Sequence, residues 1–115
     1  MTTIPQQKLE AAKARYAYGM KLAMKKFNPD TIGNCHEAAA FMVARYPELK
    51  EEIVLLQREE SNITHCIVVT EDGFILDTQH KQFKSVIKLN PKYAETYVFT
   101  REQHEDYLPR FEYGN

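Results

Sequence analysis

Residues 63–78 read ITHCIVVTEDGFILDT, and they constrain the fold more than any other stretch of the 115-residue chain. A β-branched run, a Glu71-Asp72-Gly73 turn and a second apolar run predict an antiparallel hairpin. Each run carries a polar residue where the pattern expects an apolar one, His65 in the first and Asp77 in the second. A carboxylate buried in such a strand without a partner costs several kcal/mol. The register decides whether the two residues meet. A two-residue Asp72-Gly73 loop pairs Glu71 with Phe74 and sends His65 and Asp77 to opposite faces. A three-residue loop with Gly73 in the left-handed conformation pairs Thr70 with Phe74. Ile67 then lies opposite Asp77, with His65 diagonally adjacent on the same face. The sequence permits both registers. The second is preferred because it gives both polar residues a use.

Upstream the pattern is helical. Leu9, Ala12, Tyr16, Met20, Ala23 and Phe27 recur at spacings of three and four and predict a helix over 8–27, closed by Asn28-Pro29-Asp30. A second helix is expected from Cys35, with Asn34 as N-cap, Glu37 completing a capping-box-like pair, and Pro47 at its end. Ala38, Ala39, Met42, Val43 and Tyr46 form its apolar face. Further strands are expected over 52–58, 85–89 and 96–100, a short polar helix over 101–108, and a frayed or locally packed end after it. Helices first and antiparallel strands afterwards argue for one α+β domain over 1–115, with the N-terminal helices packed on the sheet.

Composition excludes several classes. Net charge is −1, so no global field points to nucleic acid or membrane. The first fifty residues carry +4 and the remainder −5. The positive excess, on Lys8, Lys13, Arg15, Lys21, Lys25 and Lys26, reads as a solvated helix face. No segment approaches the length of a membrane span and no export signal is visible, so a cytoplasmic protein with Cys35 and Cys66 as free thiols is expected. The acidic pairs Glu51-Glu52 and Glu59-Glu60 read as protection of a sheet edge. Tyr107, Phe111 and Tyr113 read as core.

Cys35 stands at a predicted helix N-terminus. Unpaired N–H groups and the positive end of the helix dipole favour thiolate over thiol there. The same N–H groups can hold an oxyanion after the sulfur attacks a carbonyl. Such a nucleophile wants a histidine base, and the base a third group to orient it. His36 points about 100° away from Cys35 on the same helix. His80 and His104 lie in polar surroundings and read as solvent-facing. His65, with Asp77 beside it, is the remaining choice.

GNCHEAA followed by THCIVVTEDGFILDTQ resembles the transglutaminase-like, papain-like cysteine hydrolase superfamily. Gly33-Asn34-Cys35 takes the place of its Gly-x-Cys helix start, His65 with Val68 that of its His-x-x-Val strand, and Gly73 and Asp77 those of its turn and orienting Asp. The resemblance covers residues 33 to about 80. It implies a papain-like core and a Cys35-His65-Asp77 triad that cleaves or transfers acyl groups at amides through a thioester at Cys35. The substrate would be a protein, a peptide (with a peptide or glutamine-type bond) or a small amide. His36 stands where the family often has Trp, and the chain has no Trp. A side-chain oxyanion donor would therefore come from Asn34, Asn28, Tyr16 or Tyr18, with Asn34 the first choice. The other reading is a catalytically inactive binding or inhibitory protein on the same scaffold. No cofactor and no metal ion is expected: Cys35, His36, His65 and Cys66 lack metal-ligand spacing, and Cys66 reads as a small core residue.

Overall fold

The computed structural model describes residues 3–30, 33–56, 63–84 and 87–109, together with the backbone of 112–113. Helix α1 spans Ile4–Lys26 and α2 Cys35–Arg45. Strands β1 (Lys50–Leu56), β2 (Ile63–Val69), β3 (Ile75–Leu76) and β4 (Val98–Phe99) follow, then α3 (Arg101–Tyr107) and β5 (Glu112–Tyr113). Two 3-10 turns, His80–Phe83 and Pro91–Tyr93, lie between β3 and β4. The protein is α+β, as the segregation of patterns predicts. Among the described residues, no helix is long and apolar enough to cross a membrane.

Helix α1 starts four residues earlier than the expected 8–27. The Thr3 hydroxyl accepts from the Gln6 N–H at 3.2 Å, and Pro5 in the first turn has no N–H to leave unpaired. Leu9, Ala12, Tyr16, Met20 and Ala23 are buried as expected. Helix α2 begins at Cys35 as expected, but Asn34 sits in the right-handed helical region (φ −96°, ψ −3°) and its side chain makes no capping bond. An N-cap needs extended backbone to aim its side chain at the first turn, so the expected capping box does not form.

The strands form one antiparallel sheet in the order β4-β3-β2-β1-β5. The β2–β3 register pairs Val68 with Leu76 and Val69 with Ile75, so Thr70 faces Phe74 across a three-residue loop. The Thr70 N–H donates to the Phe74 carbonyl and the Gly73 N–H to the Thr70 carbonyl, both at 2.9 Å. Gly73 has φ +88°, a conformation that a Cβ would strain. The preferred register is the observed one.

Other expectations shift. Residues 87–89 are not a strand; the Ile87 N–H donates to the Phe83 carbonyl at 2.8 Å and continues the preceding turn. Positions 85, 86, 57 and 58 lie outside the described residues, and so do Glu59, Glu60 and Phe111. The strand expected over 96–100 is reduced to Val98–Phe99. Glu112–Tyr113 pairs with β1, so the chain end adds a strand, and β1 lies inside the sheet. β5 meets β1 only at Val54 and Leu55, so the backbone at Glu51-Glu52 has no partner strand on that side among the described residues. Glu52 also accepts from Arg101 at 2.7 Å.

The sheet separates two cores. Cys66, Val68, Phe74 and Leu76 face α1 and α2 and pack with Leu9, Tyr16, Met20, Ala39 and Met42. Ile67, Ile75 and Val54 face the other way, onto Phe83, Phe99, Tyr107 and Leu108. Fully burying each such side chain contributes about 1.5–3 kcal/mol. His65 and Asp77 belong to this second face, away from α1 and α2.

Candidate active site

The Asp77 carboxylate is the hub of the site. It is 2 % exposed and sits one residue beyond β3. Its Oδ1 accepts from the Gln79 N–H at 3.0 Å, two residues on, and this local bond turns the chain out of the strand. Its Oδ2 accepts from the His65 ring at 2.8 Å and from the His104 ring at 2.8 Å. A buried carboxylate with three donors is fully compensated, and desolvation, which would raise it, is outweighed: His65 and His104 hold it well below the usual carboxylate range.

The early end of β3 has a second consequence. Beside residues 63–66, β2 lacks a strand on that side, and α2 brings Cys35 to the opening. Cys35 comes close enough to His65 there for each to shift the other's pKa, although His65 points to the face away from the helices. The His65 Nε2 is taken by Asp77, so Nδ1 is the ring nitrogen that remains, and Gln82 Nε2 lies 3.2 Å from it. The backbone N–H groups of Cys66 and His36 also reach the sulfur. Burial pushes the Cys35 thiol up, but His65 and these two N–H groups bring it below its ordinary value. Burial likewise pushes His65 down, but Asp77 and Cys35 raise it to about 9. Each shift favours the charged form of its group.

Two glutamines complete the surroundings. Gln82 is 4 % exposed; its Oε1 accepts from the Gly33 N–H at 3.4 Å and its Nε2 lies 3.2 Å from His65 Nδ1. Gly33 has φ +105°, so the turn that carries this N–H suits glycine. Gln79 donates through Nε2 to the Phe27 carbonyl at 3.2 Å. Its Oε1 is buried without a partner among the described residues, and the side chain lines a cleft of about 10 Å³ with Cys35, Cys66 and Asp77.

The structure thus brings Cys35, His65 and Asp77 together. Other sequence expectations are corrected. His80 and His104, expected in solvent, are fully buried. His80 donates to the Thr96 carbonyl at 2.9 Å and stacks on Tyr97, and burial lowers its pKa. Two of the proposed oxyanion donors are committed or remote. The Tyr16 hydroxyl donates to Glu48 at 2.7 Å, and Tyr18 is exposed beside Arg45. The Asn28 side-chain oxygen accepts from the Asp30 N–H at 2.9 Å, a bond that does not use its amide N–H groups. Asn34 stays next to Cys35 in the chain. His36 stands with Glu51 and Cys66, their ligand atoms within 4.8 Å of one another, the one group among the described residues with donors suited to a divalent cation. The Cys66 thiol there donates to Glu51 at 3.7 Å.

His104, Gln79 and Gln82 were not anticipated. The only signal for His104 is its spacing of three and four from Tyr107 and Leu108, which are both buried. Comparison of the chain with family models, with curated proteins and with solved structures finds no match.

Proposed function

We propose that the chain is a small cysteine hydrolase or acyltransferase with a papain-like, transglutaminase-like core, acting on an amide bond through a thioester at Cys35. One observation carries this reading: Asp77 holds the His65 ring at 2.8 Å, and Cys35 lies close enough to that ring for the thiol to be lowered and the imidazole raised. The thiolate attacks the carbonyl carbon, forming a C–S bond and moving the C=O π pair onto oxygen. The Cys35 backbone N–H, at the start of α2, is one donor to that oxyanion. Gln82 is the side-chain donor the geometry favours over Asn34. Once Nδ1 carries the proton it no longer accepts from Gln82 Nε2, which is then available to the oxyanion. Collapse breaks the C–N bond, and the His65 Nδ1 proton goes to the leaving amine. Water or an amine then attacks the thioester, giving its proton back to Nδ1 and releasing the thiolate. Asp77 keeps Nε2 protonated throughout, so that Nδ1 faces the sulfur.

An inactive binding or inhibitory protein is the second reading, favoured by the narrowness of the cleft at Cys35, about 10 Å³. Incubation with p-nitrophenyl acetate separates the two. An enzyme releases p-nitrophenolate in a burst, carries an acetyl group on Cys35 by intact and peptide mass spectrometry, and loses it faster to water or an added amine than a model thioester does. A chain that never acylates, or whose acyl-Cys35 is as long-lived as a model thioester, is not the enzyme proposed.

A further inference from the structure

We propose that His104 is a positioning residue for the site: its Nε2–H fixes the Asp77 carboxylate, so that the working unit is the four-residue chain Cys35–His65–Asp77–His104. The inference rests on the function proposed above and deepens it. The same oxygen, Oδ2, accepts from both histidines at 2.8 Å, and Oδ1 is held by the Gln79 N–H at 3.0 Å. Either bond from His65 or Gln79 alone leaves the carboxylate free to swing about its Cβ. The bond from His104 approaches from a third element and closes that motion.

The support for His104 is itself built in. It lies within α3, whose start carries a complete capping box: the Thr100 hydroxyl accepts from the Gln103 N–H at 3.1 Å and the Gln103 side chain accepts from the Thr100 N–H at 3.0 Å. Phe99 packs against the edge of the His104 ring at 5.1 Å. His104 is fully buried, and a buried imidazole whose N–H found no acceptor would cost stability. Asp77 supplies the acceptor, so fold and site draw on one bond. The titratable groups around the pair are His65 and Cys66 on β2, His80 on the first 3-10 turn, and Tyr107 on α3.

Two measurements test this. The first needs no change at His104 and no catalysis. In Cys35→Ser protein, ¹⁵N-edited NMR of the imidazoles is expected to show Nε2-protonated, slowly exchanging rings for both His65 and His104. An Nδ1-only tautomer or a fast-exchanging ring at His104 overturns the proposal, whatever the fate of Cys35. The second compares His104→Leu with His104→Gln, side chains of similar volume, only one of which can donate. Labelling of Cys35 by iodoacetamide at neutral pH is expected to fall ~10-fold in the Leu variant and to recover to within about twofold of wild type in the Gln variant. Equal rates in the two variants would make His104 a packing residue only. If the Leu variant does not fold, the NMR result and the Gln variant decide, since a Gln variant as slow as His65→Ala also contradicts the proposal. Slow labelling of Cys35 in the wild type would instead remove the function on which the proposal rests, and leaves the NMR result standing.

Discussion

Cys35 and Cys66 are both free thiols, both partly withdrawn from water, and both line the same small cleft, yet their surroundings drive them in opposite directions. Burial alone would raise both. At Cys35 it is overcome by an imidazole and two backbone N–H groups, and the thiol falls below its ordinary value. At Cys66 burial is reinforced by the Glu51 carboxylate and by Cys35 itself, and the thiol is pushed up to about 12. Reactivity is therefore set by which groups aim at the sulfur, and depth in the protein is secondary. The backbone makes the contrast possible. Where β3 turns away at Asp77, the Cys66 N–H is turned toward Cys35, while the Cys66 side chain points into the apolar layer under α1 and α2. One residue thus activates its neighbour through its main chain and stays inert through its side chain.

The largest effect that can break this contrast is substitution of Cys35. With Cys66 near 12, only about one molecule in 10⁵ carries its thiolate at pH 7. Iodoacetamide should label one site in the native protein, and Cys35→Ser should abolish labelling and turnover together, as read by peptide mass spectrometry. His65→Ala comes next. It removes the imidazole that lowers the Cys35 thiol, and the labelling rate at neutral pH should fall roughly 10- to 100-fold, with turnover falling further as the proton carrier is lost.

Asp77→Ala tests the hub. It leaves two buried imidazoles without their acceptor and should cost about 3–5 kcal/mol in denaturant unfolding, more than Asp77→Asn. The pH dependence carries a sign for each partner. Asp77 is lowered on folding from its ordinary 3.8, so its stabilisation is present above that value and is lost as pH falls through the folded pKa. His65 is raised from 6.5 to about 9, so its contribution is complete below 6.5 and is lost as pH rises through about 9. Thermal unfolding scans should therefore show greatest stability between these limits, and Asp77→Asn should blunt the alkaline loss.

Gln82→Ala should lower acylation by p-nitrophenyl acetate by about 10²-fold while leaving alkylation by iodoacetamide, which forms no oxyanion, within about threefold. The smallest effect is at Glu51. Removing its charge with Glu51→Gln should lower the Cys66 pKa and speed Cys66 labelling severalfold at high pH, as read in denaturant-free peptide maps, with Cys35 labelling unchanged.

Some of this was legible in the sequence for physical reasons. His65 and Asp77 are polar residues in apolar strands, and only one hairpin register lets them compensate each other, so the pattern carries the geometry. The start of α2 at Cys35 was legible because Gly33 and Pro47 bracket an apolar helical run. The meeting of Cys35 with His65 was expected, from the choice of His65 as base and from the resemblance, but the route to it was not. His65 lies on the strand face turned away from α2, and β3 ends after two residues at the Asp77–Gln79 turn, beside which Cys35 comes near the ring. His104 escaped because 101–108 is mostly polar, and two inward positions, His104 and Tyr107, on a seven-residue helix leave almost no periodicity. Gln82 escaped because its role depends on a contact with Gly33, 49 residues earlier.

The central proposal is that His65 lowers the Cys35 thiol below its ordinary value and so activates it. The rate of Cys35 alkylation by iodoacetamide, followed site by site from acid to alkaline pH in wild-type and His65→Ala protein, tests it most directly. The account predicts a wild-type rise well below the ~8.5 of a free thiol, and a His65→Ala rise displaced upward to that value or beyond. A wild-type profile that rises near 8.5, unchanged by the loss of His65, would contradict it.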